Sequence, residues 1–254
     1  MEKVVLGRTG IEVSRLCIGT GTSGIGGASN QTRKLGHEGL VDLLVYAHSR
    51  GITWFDTADQ YGTHVHVGEA MRRIGREKVV ITTKTIAQTG GWVRKDLDRF
   101  RRELDTDYID IVLLHCLMHP WWSKLMRPVM KYLSELKEKG VIRAVGCSNH
   151  NFGALKAAAA EPWVDVVLAR INPWGKHMEA RPDQVLPVLQ KMHDDGKGIY
   201  GMKVLGAGDM RDKRREAFAF QLGLKCVDAF VVGMESTAEV DENLELLSTV
   251  TAPV

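Results

Sequence analysis

Four side chains of this 254-residue chain are of types that could act together on a carbonyl oxygen. Asp56 and Tyr61 stand in Phe55-Asp56-Thr57-Ala58-Asp59-Gln60-Tyr61-Gly62, Lys84 in Thr82-Thr83-Lys84-Thr85, and His115 in Leu113-Leu114-His115-Cys116. A tyrosine titrating near pH ~10 is a poor proton donor at neutral pH unless its anion is stabilised. A nearby ammonium stabilises that anion and lowers the phenol's pKa. A carboxylate paired to the lysine fixes it and keeps it charged. A neutral imidazole donates a hydrogen bond to a carbonyl oxygen and orients it. Such a set protonates an oxygen as negative charge develops there. It lacks an electron source, which a hydride-donating cofactor would supply. Taken singly, each residue has an ordinary role. Asp56 can cap a turn, Lys84 can reach solvent, His115 can be a bonded core histidine and Tyr61 can pack a loop.

These residues converge only if the chain places them on adjacent elements. Eight short apolar runs are candidate strands: 16–19, 53–56, 79–83, 110–115, 144–148, 166–172, 198–204 and 229–232. Most are near-continuous in Val, Ile and Leu, as a parallel strand covered on both faces requires. Helical spacing falls between them, at 38–49, 67–74, 95–104, 125–139, 152–160, 183–194, 213–222 and 238–247. Val4-Val5-Leu6 and Ile11-Glu12-Val13 flank a Gly-Arg-Thr-Gly turn and read as a hairpin. Strict strand–helix alternation predicts an α/β fold, a (β/α)₈ TIM barrel with a short N-terminal β-hairpin, as a single domain over 1–254. The rival is a doubly wound sheet. Gly19, Gly21 and Gly24 match its G-x-G-x-x-G string, but the pattern shows no helix opening there and no acid at a strand end about 20 residues on. In a barrel the site lies at the C-terminal ends of the strands, where Asp56, Lys84 and His115 all stand.

Composition narrows the partners. A formal charge of +3 gives no reason to expect nucleic acid. No apolar run approaches the roughly 20 residues that cross a bilayer, and no signal peptide is evident, so a cytoplasmic, membrane-free setting is expected. Cys17, Cys116, Cys147 and Cys226 are widely spaced, which points to small buried thiols rather than a metal site. A small-molecule carbonyl or alcohol is the expected substrate, with room left for a homo-oligomer.

The stretches GRTGIEVSRLCIGTGT, WFDTADQYG, VVITTKT, DYIDIVLLHC, GVIRAVGCSNHN, GIYGMKVLGAG and VVGMESTAEVDENLELL run in one order over nearly the whole chain. They resemble the aldo-keto reductase superfamily. The resemblance implies an NAD(P)H-dependent oxidoreductase that reduces an aldehyde or ketone, or oxidises the corresponding alcohol, with a sugar among the candidates. It implies the tetrad Asp56, Tyr61, Lys84 and His115, with Tyr61 as general acid. It also implies an extended nicotinamide dinucleotide. Gly19, Thr20 and Asp56 would lie near the ribose, and Ser148 and Asn149 would hold the carboxamide. Met202 would lie at the nicotinamide, and Lys203, Leu205, Gly206 and Gly208 would wrap the pyrophosphate. Gly233, Met234, Ser236, Glu239, Glu242 and Asn243 would hold the adenosine end.

The chain departs from the family pattern in three respects. Glu235 and Glu239 stand where a cation often grips the 2′-phosphate of NADP, so NAD(H) is expected to be accepted at least as well. Leu168 replaces a common glutamine, and Met202 replaces an aromatic residue that stacks on the nicotinamide. Trp92, Trp121, Trp122 and Trp174 are candidate substrate-binding aromatics. Only about seven residues follow the last predicted helix, and the loop after the fourth strand is short, so an open, shallow substrate site is expected. Two other readings stay open: a redox-neutral epimerase holding its NAD(P) tightly, and a non-catalytic cofactor-sensing subunit.

Overall fold

Strands that are apolar on both sides need cover on both sides, and a closed parallel barrel inside a ring of helices provides it. In the computed structural model, which describes residues 1–250, eight parallel strands close such a barrel. A hairpin precedes it, β1 (Lys3–Val5) antiparallel to β2 (Glu12–Ser14), with Val4 opposite Val13. The barrel strands are β3 (Leu16–Gly19), β4 (Trp54–Asp56), β5 (Val80–Thr85), β6 (Ile109–Leu117), β7 (Ile142–Asn149), β8 (Val166–Arg170), β9 (Gly198–Met202) and β10 (Ala229–Gly233). Neighbours pair in chain order, and β10 returns to β3 with Gly233 opposite Gly19.

The surrounding helices are α1 (Asn30–Ser49), α2 (His64–Ile74), α3 (Gly90–Leu104), α4 (Trp122–Leu125), α5 (Arg127–Glu138), α6 (Phe152–Ala160), α7 (Pro182–Asp194), α8 (Arg214–Gly223) and α9 (Thr237–Thr249). α2 and α3 start three and five residues before the expected Val67 and Lys95, and two larger differences have clear reasons. α1 begins eight residues before Glu38, capped by the Ser29–Thr32 capping box. Its first turns are polar and Gly36 breaks them at φ 65°, so no apolar period marks them. The single helix expected over 125–139 is split, because Pro128 opens α5 where a missing N–H costs nothing. The expected tail after α9 lies partly in 251–254, outside the described residues.

Side chains at every second strand position fill the barrel interior. Cys17, Trp54, Ile111, Leu113, Ala144, Val166, Leu168, Tyr200, Met202 and Ala229 form one buried cluster there. The alternate positions pack outward against the helices in a second, larger cluster that includes Ile18, Phe55, Val112 and Phe230. Layering of this kind holds the strand ends rigid, and the polar residues continue the inward-facing register upward.

Candidate active site

Asp56 is the last residue of β4, and in the β4–β5 register it stands opposite Thr82, two positions below Lys84. Both acid and lysine point inward, and both are buried. Lys84 Nζ donates to Asp56 Oδ1 at 2.5 Å and to the Thr57 carbonyl at 2.7 Å. Tyr61 closes a single 3₁₀ turn, Asp59–Tyr61, just beyond β4. Gly62 follows at φ 64°, and a Cβ there would lie 1.9 Å from the Gly27 carbonyl oxygen, so only glycine fits. The Lys84 ammonium lies 4.9 Å from the Tyr61 ring centre. On β6 a register shift between Leu114 and Leu117 re-aims the strand end, with Cys116 at φ 58°. This brings His115 Nε2 to 3.5 Å from the Tyr61 hydroxyl, the two rings meeting edge to face. The tertiary structure thus brings all four expected residues together.

The environment sets their protonation. Burial pulls the Lys84 ammonium down, but Asp56, Tyr61 and Cys17 outweigh it and hold the pKa above the ordinary lysine value. Burial pushes the Tyr61 phenol up, while Lys84 pulls it down and Asp56 and Cys116 push it up. The expectation that Lys84 would lower this phenol is therefore corrected in its net result. The ammonium opposes burial without overcoming it. Burial, then Lys84 and His150, push His115 down to about 3. Its imidazole is neutral at physiological pH, and its one ring N–H remains available to donate to a carbonyl. Its Nδ1 is buried with no hydrogen-bond partner.

A trough of about 950 Å³ runs away from Asp56 and Tyr61 between the ends of β3, β9 and β10. Of the expected cofactor positions, Gly19, Asp56, Met202, Lys203, Leu205, Gly208 and Gly233 line it, together with Leu168; Ser148, Asn149 and the residues expected at the adenosine end, from Met234 to Asn243, do not. Gly206 is buried just behind, against Lys176 and Met210. Thr20 is buried too, but its hydroxyl is taken by the Asp56 carbonyl and Thr63. Ser148 Oγ accepts from the Cys116 N–H, and Asn149 donates to Cys147 Sγ. Asn149 Oδ1 is buried without a partner, an acceptor of the kind a primary amide needs. Lys203 and Arg211 put two cations on the trough wall. An extended dinucleotide with an anionic pyrophosphate fits this set of donors, acceptors and charges.

At the far end Ser236 caps α9 by accepting from the Glu239 N–H. The Met234 carbonyl and the Gly19 carbonyl both accept from Gln31 Nε2, which ties the two loops together. Glu235 pairs with Lys34, and Glu239 Oε2 accepts the Glu235 N–H at 2.7 Å. Glu242 pairs with Arg214 at 2.8 Å, and Arg214 also reaches Asn243 Oδ1. Each of these acids already has a partner of its own.

The candidate aromatics divide. Trp92, in the first turn of α3, and Trp121, stacked on His119, are exposed on the mouth side. Trp174 lies under the Lys213 ammonium. Trp122 is a correction. It is buried between α4 and α6, with Nε1 donating to the Ala154 carbonyl, so it packs the shell and does not face the mouth. Cys116 is a second correction. Unlike the other three thiols it is only half-buried, with Sγ 3.6 Å from His150 Nε2.

Sequence reasoning missed Tyr200. Its hydroxyl donates to Asp56 Oδ2 at 2.9 Å from across the barrel. The period-two alternation that turns Met202 inward turns Tyr200 inward as well, and that was the available signal. It also missed what the glycine-rich loop does. A Cβ at Gly21 or Gly24 would come within 2.5 Å of the Tyr61 ring. These glycines let the loop lie flat on the phenol, and they open no helix for a phosphate.

Comparisons with known proteins bear on the family and the fold. The Aldo/keto reductase family model matches residues 15–225. The Glycine max protein named "Probable aldo-keto reductase 1" is 30% identical over 225 residues, covering 82% of this chain and 60% of its own length. The "NADH-specific methylglyoxal reductase" of Escherichia coli (strain K12) is 30% identical over 213 residues, covering 75% of this chain and 64% of its own length. The chain thus spans somewhat over half the length of these curated relatives. A solved Pseudomonas aeruginosa structure assigned to the aldo-keto reductases superposes with a TM-score of 0.81 at 26% identity, covering 97% of this chain and 94% of its own. With the barrel, the four convergent side chains and a family match over most of its length, this chain belongs to the aldo/keto reductase family.

Proposed function

We propose that this chain is an NAD(P)H-dependent oxidoreductase that reduces an aldehyde or ketone, or oxidises the matching alcohol. The observation that carries the reading is the convergence of the Tyr61 hydroxyl and His115 Nε2, 3.5 Å apart, with the buried Lys84–Asp56 pair behind the phenol. A carbonyl oxygen placed against both groups receives a hydrogen bond from the neutral imidazole and one from the phenol. As charge grows on that oxygen, Tyr61 delivers its proton and the Lys84 ammonium stabilises the phenolate left behind. Asp56 keeps Lys84 charged and in place. Met202, Lys203, Leu205, Gly208, Gly19 and Gly233 would hold the dinucleotide, with Ser148 and Asn149 at its carboxamide and Ser236, Glu242 and Asn243 at its adenosine. When bound, the reduced nicotinamide supplies the hydride that adds to the carbonyl carbon.

NADH serves this chain at least as well as NADPH in our reading. Glu235 and Glu239 stand near the adenosine end, and Lys34 is already committed to Glu235, so the two carboxylates would repel a 2′-phosphate there and Lys34 is not free to offset them. The similar Escherichia coli protein, named for NADH specificity, supports the same choice. Residues 1–254 act as a single barrel unit, working on a small molecule in the cytoplasm. Trp92, Trp121 and Trp174 border the substrate side.

A spectrophotometric screen of NADH and NADPH against aldehydes, ketones and sugars tests the proposal. Oxidation of NADH by at least one carbonyl class is the expected result. Tight binding of both cofactors with no turnover of any carbonyl would overturn it.

A further inference from the structure

Below the tetrad lie two fully buried hydrogen bonds, each with one allowed direction. The Trp54 indole is only a donor, and it donates Nε1–H to Thr82 Oγ1 at 2.9 Å. The Asp56 carboxylate, paired with the Lys84 ammonium, is only an acceptor. The Tyr200 hydroxyl therefore has to donate to Asp56 Oδ2, at 2.9 Å. Trp54, Thr82 and Tyr200 are each fully buried, and the Trp54 and Tyr200 rings pack 4.6 Å apart. Burial, then Asp56 and Cys17, hold the Tyr200 phenol well above its ordinary value, so it keeps its proton.

We infer that Tyr200 is a positioning residue for the proton-transfer step, acting through Asp56. The inference rests on the reductase reading above. Asp56 has two oxygens and two donors: Lys84 on Oδ1 and Tyr200 on Oδ2. The phenol's hydrogen bond makes the carboxylate less basic, so the shared proton stays on Lys84. It also places the positive end of an O–H dipole beside the acid, which offsets part of the Asp56 charge. More of the Lys84 field is then left for Tyr61. The other groups that face this assembly are Cys17 from β3 and, on the Tyr61 side, His115 and Cys116 from β6. Of these, Cys17 is a buried thiol with its pKa pushed up and His115 is neutral, so neither replaces the dipole.

The test is Tyr200→Phe, which keeps the ring against Trp54 and removes only the hydroxyl. Reduction of 4-nitrobenzaldehyde by NADH is followed from pH 6 to 11 in the full-length protein. The tyrosinate absorbance near 295 nm is titrated alongside, with the Tyr61 contribution identified by its loss in Tyr61→Phe. The expected result is a kcat lowered about tenfold, a KM changed less than twofold, and a Tyr61 ionisation moved to higher pH. A shift in the same direction is expected for Tyr200→Met, which also lacks the hydroxyl and serves if Tyr200→Phe fails to fold. Unchanged Tyr61 titration and pH profile with only a lowered melting temperature would reduce Tyr200 to packing and overturn the inference. A wild-type protein that turns over no carbonyl would instead refute the reductase reading, and the 295 nm titration would still decide the coupling.

Discussion

The Tyr61 hydroxyl and His115 Nε2 lie 3.5 Å apart, and their rings meet at 83°. That is longer than a good hydrogen bond between them, so neither satisfies the other. Both are free to turn to a third atom placed between them. The pair is thus arranged around an oxygen, and several consequences can be measured.

Tyr61→Phe removes the proton and keeps the ring. Carbonyl reduction should fall by about 10²–10⁴-fold, the usual weight of a general acid. Cofactor affinity, read by quenching of intrinsic fluorescence, should stay within about twofold. Unchanged turnover would remove Tyr61 from the proton-transfer step.

The acidic side of the pH profile should carry no limb from His115 between pH 5 and 8. Its pKa is pushed down to about 3, so it stays neutral through that window. The stability consequence has a definite sign. The unfolded imidazole takes up a proton near pH ~6.5 while the folded one does not, so folding stability falls as pH drops from there toward 3. His115→Asn should show a shallower decline in denaturant midpoint over that range. An equal decline in both proteins would contradict the burial argument.

Lys84→Met strips a fully buried ammonium from a buried carboxylate. Leaving one member of such a pair behind costs about 3–5 kcal/mol. For a chain of this size that is a melting temperature lower by about 10 °C, since each kcal/mol moves it by about 2–4 °C. Activity should be lost as well, because Tyr61 loses its counter-charge. A melting temperature within about 2 °C of wild type would mean that the Tyr200 hydroxyl alone satisfies Asp56.

Gly21→Ala should damage turnover far more than stability. The added Cβ would lie 2.3 Å from the Tyr61 ring edge, so the phenol or the mouth loop has to move. A tenfold loss of kcat with a melting temperature changed by under about 3 °C is expected. Equal losses of kcat in Gly21→Ala and in Gly91→Ala, an exposed position with ordinary φ and nothing near its Cβ position, would refute this explanation.

Glu235→Gln should release Lys34 from its pair and raise the ratio of NADPH to NADH use several-fold. The ratio of kcat/KM for the two cofactors is the readout. A ratio that does not move would show that this pair does not face the 2′ position.

The sequence determined the barrel, because eight apolar runs in strict alternation with helical spacing admit few other folds. It also determined the four candidate chemical residues, since Asp56, Lys84 and His115 stand at strand ends where a barrel's residues converge. Its weak points were local. Residues 30–37 are too polar to show a helical period, so α1 was read as starting at Glu38. Trp121 and Trp122 are neighbours of one type, and only packing shows that the first is exposed while the second is buried against Ala154. The tertiary structure alone decided three things. The register shift on β6 turned His115 toward Tyr61. Burial set the protonation of the phenol and the imidazole. Barrel closure brought Tyr200 onto Asp56 from 144 residues away. Each depends on distances between strands that are far apart in the chain, and side-chain type and spacing along the chain do not encode those distances.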